Sequence, residues 1–408
     1  MKKIAIIIAL ASLALTANAQ LRLDNAKTYA NPKKGYYDKA KIEIDAACEE
    51  EGTKGNPEVW AYKGIIYCYL GESDKPKIKK VCPENWADIA YEAALKSKEL
   101  NTEKDPNIIE LNNIVFKNVA GRFLDEAMTL YNNADNDTAK LKQCIEKVEK
   151  GIKIYQSSGA ANDKEIKENI TLARYIGGAA ARAIGEDETV VKLYKPLVRA
   201  GYDKNYVYLS LVSIYQQKKD TIEAMKVVKT YTEKQPNDQN AFLLAAKVCA
   251  WAGNAEQTKN YANTAIEKAN ALQDASQKGA LFCSVADIFT DLSDYTTSEN
   301  YLNKAVELDG NNPMIYNGFG RMKFNQGTDV QNKANDVPLT DETGLYEKLK
   351  EEANANYLDA EKYYKKSLEI NNRSTAELQH RYVEAYRGLQ TVYARLNKSM
   401  DELKVYEK

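Results

Sequence analysis

Between Asn205 and Asp238 the chain reads NYVYLSLVSIYQQKKDTIEAMKVVKTYTEKQPND, and this pattern returns at a spacing of 34 residues. Tyr208, Leu211, Val212 and Tyr215 recur three or four residues apart, which marks one buried face of a helix. The following Gln-Gln-Lys-Lys-Asp run has no apolar member and predicts a turn. Ala224, Val228 and Tyr231 then repeat the helical spacing on a second segment. Pro236 ends it, because proline has no amide hydrogen with which to continue a helix. The unit is a hairpin of two antiparallel helices.

Thirty-four residues on, Phe242, Ala245, Ala246 and Cys249 take the places of the first-helix residues, Gly253 falls in the turn, and Ala262 and Ala265 fall on the second helix. Thirty-four residues back stand Gly178 and Gly185, followed by Tyr194 and Leu197. Hairpins 171–204, 205–238 and 239–272 are therefore in register. A period of 34 with W-x2-L-G-x2-Y, then A-x3-F-x2-A and a proline, resembles the tetratricopeptide repeat. The hairpin opening at Pro57 matches best, with Trp60, Gly64 and Tyr67 on its first helix and Ala87, Tyr91 and Ala94 on its second. The resemblance implies an all-α solenoid of stacked antiparallel hairpins wound as a right-handed superhelix.

Small residues recur where paired helices must approach within about 8–10 Å. Gly64, Gly178, Ala246, Ala286 and Gly320 mark one side of that crossing; Ala87, Ala224 and Ala360 mark the other. The expected division is a leader over 1–19, three hairpins over 20–156 with the third atypical, and about six hairpins over 165–408. Two polar insertions interrupt the pattern, Gly71–Val81 and Thr328–Asp341. The last hairpin is expected to end inside its second helix.

Lys2 and Lys3, the apolar run from Ile4 to Leu15 and Ala17-Asn18-Ala19 read as a cleaved secretory signal. The run is too short for a membrane span of about 20 residues, and no cysteine follows the cut as in a lipoprotein. This predicts a periplasmic protein without a membrane span. In an oxidising compartment its six cysteines allow disulfides, and Cys68 with Cys82 is a candidate pair. The 57 basic and 58 acidic residues nearly cancel, which argues against a nucleic-acid partner. A single histidine, His380, argues against histidine-ligated metals and triad chemistry. No cofactor is expected.

By the resemblance, first-helix residues line the concave face and hold a protein or peptide ligand. The family's groove positions carry over to Tyr175 and Arg182, Gln216, Lys247 and Trp251, Asp287, Asn317, Arg321 and Phe324, and Arg387. The lysine–asparagine clamp by which some members grip a terminal carboxylate is not reproduced in full. An acidic and aromatic segment between Trp251 and Arg387 is the expected occupant. The function this implies is a non-enzymatic scaffold associated with envelope complexes, in cell-envelope assembly or secretion. The alternatives are a glycan-binding protein and an (α/α)-toroid enzyme, which needs opposed carboxylates in an aromatic pocket. Asp137-Thr138-Ala139 and Asp220-Thr221-Ile222 also resemble a bacterial O-glycosylation sequon, and Asp and Thr before a helix equally suit capping.

Overall fold

The computed structural model describes residues 19–159, 163–338, 340 and 342–407. The leader, apart from Ala19, lies outside them. Every regular element among the described residues is helical. The chain divides into two units, the first ending at Leu197 and the second beginning at Val198.

The first unit pairs α1 (19–30) with α2 (Tyr37–Glu49), α3 (Pro57–Gly71) with α5 (Trp86–Leu100), and α6 (Pro106–Asn132) with α7 (Thr138–Ser157). It continues through α8 (Lys164–Ala183) into α9 (Asp187–Ala200). Leu23, Ile44, Ile66, Leu70, Phe116 and Ile154 are all but fully buried in its core. The insertion after α3 is not a free loop: it forms a short helix, α4 (Pro76–Lys79), that packs on α2 and α3. Ile78 is buried there and Lys77 Nζ lies 2.6 Å from Asp38 Oδ2, so the insertion is fastened to the preceding hairpin. α8 packs on both α6 and α7, because Ile166, Ala173, Ile176 and Gly177 give it an apolar face that must be covered.

The second unit runs through α10 (Asn205–Gln217) and α11 (Thr221–Lys234), α12 (Gln239–Trp251) and α13 (Ala255–Ala269), and α14 (Ala275–Asp291) and α15 (Tyr295–Asp309). It ends with α16 (Pro313–Asn335), α17 (Leu345–Ile370), α18 (Ala376–Arg395) and a 3₁₀ helix, Met400–Tyr406. α16 continues through Thr328 to Asn335, where an inserted turn was expected, because Val330 and Ala334 extend its buried face by two turns. Instead of a second helix closing the last hairpin, the 3₁₀ turn buries Leu403 and accepts a hydrogen bond from Tyr382 Oη at the Tyr406 carbonyl, 2.9 Å.

The repeat is visible in its turns. Gly185, Lys219 and Gly253 have φ of +76°, +56° and +74°, and Ser293, displaced by a six-residue extension after Leu272, has +56°. After each, the next amide donates back to the end of the first helix. Glu186 to Ala181, Asp220 to Tyr215, Asn254 to Cys249 and Asp294 to Phe289 all span 2.8–2.9 Å. This Schellman arrangement satisfies carbonyls that a helix end would otherwise leave bare. The residue after the turn then starts the second helix: the Asp220, Asn254 and Asp294 side chains accept the amides of Glu223, Gln257 and Thr297. One short sequence thus closes one helix and opens the next.

Candidate binding groove

In the second unit the first helices of consecutive hairpins, α10, α12, α14 and α16, line a cavity of about 460 Å³. Its apolar wall comes from Val212, Leu244, Val248 and Ile288, and Trp251 stands half-buried beside them. The polar groups are Gln216, Lys247, Asp287, Asp291 and Arg321. These side chains meet because a spacing of three or four residues returns to one helix face, and the hairpin period brings that face to the same side each time.

Arg321 is the anchor of the charged cluster. Its Nη2 lies 2.7 Å from Asp287 Oδ1 and donates to the Asp287 carbonyl at 3.1 Å, while Nη1 reaches Asp291 Oδ1 at 3.1 Å. The two carboxylates sit one turn apart on α14, on one wall. Burial raises the Asp291 pKa, and Arg321 opposes the shift. Lys247 faces the same cavity but makes no ion pair or hydrogen bond among the described residues. Protein crowding lowers its pKa; Asp287 counteracts this, whereas Arg381 and Arg321 add to it. The cluster therefore holds one guanidinium already claimed by two carboxylates and one ammonium claimed by none.

Of the expected site residues, Gln216, Lys247, Trp251, Asp287 and Arg321 are brought together here. The others are placed elsewhere. Phe324 turns into the core against Tyr357, with ring centroids 5.5 Å apart. Asn317 is half-buried on α16 outside the cavity lining, and Arg387 is exposed on α18. Tyr175 and Arg182 belong to the first unit, where Tyr175 stacks on Tyr194 and Arg182 lies 3.5 Å from Asp187. Arg381 is the residue of α18 that acts on Lys247 and on Cys283, and its Nε is buried without a hydrogen-bond partner. Arg387 follows Tyr386 as Leu209 follows Tyr208, and that phase does not include Arg381. Asp291 was missed too, although it stands four residues after Asp287 and so shares its face.

The candidate Cys68–Cys82 bridge is not formed; all six cysteines are free thiols. Cys68 is buried in the core, and the half-buried Cys82 donates to the Pro83 carbonyl at 3.6 Å. Asp137 and Asp220, not the threonines that follow them, cap α7 and α11. Thr138 is exposed and Thr221 half-buried.

A 34-residue recurrence of helix, left-handed turn, capped helix and small-residue crossing decides the fold. It is an all-α array of paired helices of tetratricopeptide-like form. No protein-family model and no curated protein matches the sequence. Among solved structures, a tetratricopeptide repeat protein from Parabacteroides merdae is similar over 65% of this chain and 99% of its own, at 13% identity and TM-score 0.39. Yeast Tom70 is similar over 95% of this chain and 90% of its own, at 13% identity and TM-score 0.33. A TPR repeats protein from Bacteroides fragilis gives 67% and 98%, at 15% identity and TM-score 0.26. The tetratricopeptide register rests on this chain's own turns and crossings. No helix among the described residues is long and apolar enough to cross a membrane.

Proposed function

We propose that this protein is a non-enzymatic, exported scaffold that holds a segment of a partner protein in the first-helix groove of its second unit. The observation that carries the reading is Lys247, an unpaired ammonium in a cavity walled by Trp251 and aliphatic side chains. An acidic side chain followed by an aromatic or aliphatic one matches that pairing of a lone cation with an apolar wall. The groove is of the size that takes one or two such residues, about 300–1,000 Å³ for ligand sites in general. Export rests on the leader sequence, and a place in envelope assembly or secretion follows from export of a chain built for docking.

The groove's own carboxylates do not suit glycoside hydrolysis. That reaction needs a pair flanking the scissile bond from opposite sides, whereas Asp287 and Asp291 share one helix and one arginine. The test is in-cell crosslinking of the mature protein followed by capture, then affinity measurement with the captured partner. Lys247→Glu is expected to weaken binding at least tenfold, because it sets a like charge against the partner's acidic side chain. Equal affinity in wild type, Lys247→Glu and Arg321→Glu overturns the placement.

A further inference from the structure

A second pocket lies in the first unit and is built from the opposite members of the hairpins. It measures about 520 Å³ and is lined chiefly by the second helices α5, α7 and α9, with Arg174 reaching in from α8. Lys150, Lys153, Arg174 and Lys192 face it, against the single carboxylate of Glu149. In a chain whose charges almost balance, four cations around one acid is a local excess. Two of them are occupied: Lys150 pairs with Asp88, and Lys192 Nζ lies 2.6 Å from Glu149 Oε1. Lys153 and Arg174 make no ion pair among the described residues. Arg174 is half-buried, its pKa is depressed by burial, and no carboxylate acts on it in return. A planar guanidinium held in protein without an acceptor is matched to a carboxylate or phosphate from outside.

The shape narrows the choice. The lining on α7 extends from Glu149 to Gln156, about 10 Å along the helix axis, and the cations come from three helices rather than converging on one point. A single oxyanion cannot reach all of them. An extended chain rises ~3.3 Å per residue and puts alternate side chains on one side, so about three residues span the strip and two carboxylates ~7 Å apart meet separate cations. We propose that this second-helix pocket docks an acidic, extended peptide segment of a partner protein, its carboxylates meeting Arg174 and Lys153. The site is separate from the groove of the second unit and does not depend on it.

The test uses the full chain and a dye-labelled hexapeptide of alternating glutamate and leucine, capped at both ends so that no terminal carboxylate competes. Fluorescence anisotropy is expected to show binding that falls at least tenfold in Lys153→Glu and in Arg174→Gln, weakens with salt, and is unchanged in Lys247→Glu. Circular dichroism identifies an unfolded Arg174→Gln, in which case the exposed Lys153→Glu decides alone. The lysine–leucine analogue is expected not to bind. Binding unaffected by either substitution, equal binding of the lysine peptide, or absence of binding overturns the proposal. Displacement by millimolar inorganic phosphate at constant ionic strength would make the site one for a free anion. Loss in Lys247→Glu instead would put the peptide in the other groove.

Discussion

In α10 to α15 each hairpin turns through one left-handed residue, whereas α3/α5 and α16/α17 bridge their helices with inserted chain. The two groups hold their register by different means. In the regular group the Schellman turn and the aspartate or asparagine after it fix where the second helix starts. The hairpins with insertions have lost that turn and are fastened at the far end instead. Ser97 Oγ donates to the Pro57 carbonyl at 2.8 Å, and Ser367 Oγ donates to the Pro313 carbonyl at 2.9 Å. In both cases a buried serine near the end of the second helix reaches the proline that opens the first. α16 and α17 add an interlock of sizes. A Cβ on Gly320 would stand 2.7 Å from the Tyr364 ring, and one on Gly327 would stand 2.9 Å from Tyr357. The lesson is that an inserted connection is tolerated where side chains, not the turn, set the pairing.

The sharpest way to break this contrast is Gly320→Ala. Tyr364 is buried and has Gly388 on its other side, so it cannot move away; a cost of about 2–3 kcal/mol is expected. The reverse change at the matching position of a regular hairpin, Ala246→Gly, is expected to cost only about 1 kcal/mol through helix propensity. Urea unfolding followed by circular dichroism compares them. Equal costs would refute the interlock.

Acid sensitivity sharpens the comparison next. Glu361 on α17 is buried; that burial would raise its pKa, but Lys365 at 2.8 Å and Lys398 at 2.6 Å outweigh it and hold it below the usual 4.5. A carboxylate depressed in the folded state contributes stability that is present above the unfolded value and is lost as pH falls through the folded one. The α16–α18 end is therefore expected to lose stability as pH drops below about 4.5, through this group. Glu361→Gln is expected to remove about 1 kcal/mol at pH 7, a discounted figure because both lysines are one-third exposed, and to flatten that part of the pH profile. Thermal melts between pH 3 and 7 check it, and an unchanged profile would sink the assignment. Smaller again is Ser367→Ala, for which about 1 kcal/mol is expected from one lost neutral hydrogen bond. Ser97→Ala loses the matching bond and also the one that Ser97 Oγ accepts from the buried Asn112 Nδ2 at 3.0 Å, so a larger loss is expected there.

Most of the hairpin architecture was legible because a buried helix face and a polar turn alternate on a fixed count. Tyr208, Leu211 and Tyr231 could only sit inward, and the count carried the pattern to Phe242 and Gly178. The same count misled where length changed. Thr328–Asp341 looked like loop because TDVQNKAND has few apolar residues, yet Val330 and Ala334 are spaced one turn apart and suffice to keep α16 helical. In the groove, the sequence could mark which residues share a face but not which cations are already neutralised. Arg321 and Lys247 look alike in the chain; only the contact with Asp287 and Asp291 separates them. The basic pocket on α7 was invisible for a related reason. Its cations come from three helices, and each alone reads as an ordinary solvated charge.

The mildest test concerns the turn itself. Lys219 and Ser293 hold the left-handed conformation that Gly185 and Gly253 adopt without a Cβ. For an L-residue that conformation costs roughly 1–2 kcal/mol, partly offset in Lys219→Gly by the greater entropy of the unfolded glycine. Lys219→Gly is therefore expected to stabilise the protein by about 0.5–1 kcal/mol and Gly253→Ala to destabilise it by about 1 kcal/mol. No atoms stand within 4 Å of a Cβ built on Gly253, so packing does not enter and the pair isolates the backbone effect. A glycine placed instead at Thr328, in the hairpin that has lost this turn, is expected to destabilise by about 0.3–0.5 kcal/mol because it falls inside α16. Opposite signs at Lys219 and Thr328 in parallel urea titrations would show that one hairpin is held by its turn and the other is not.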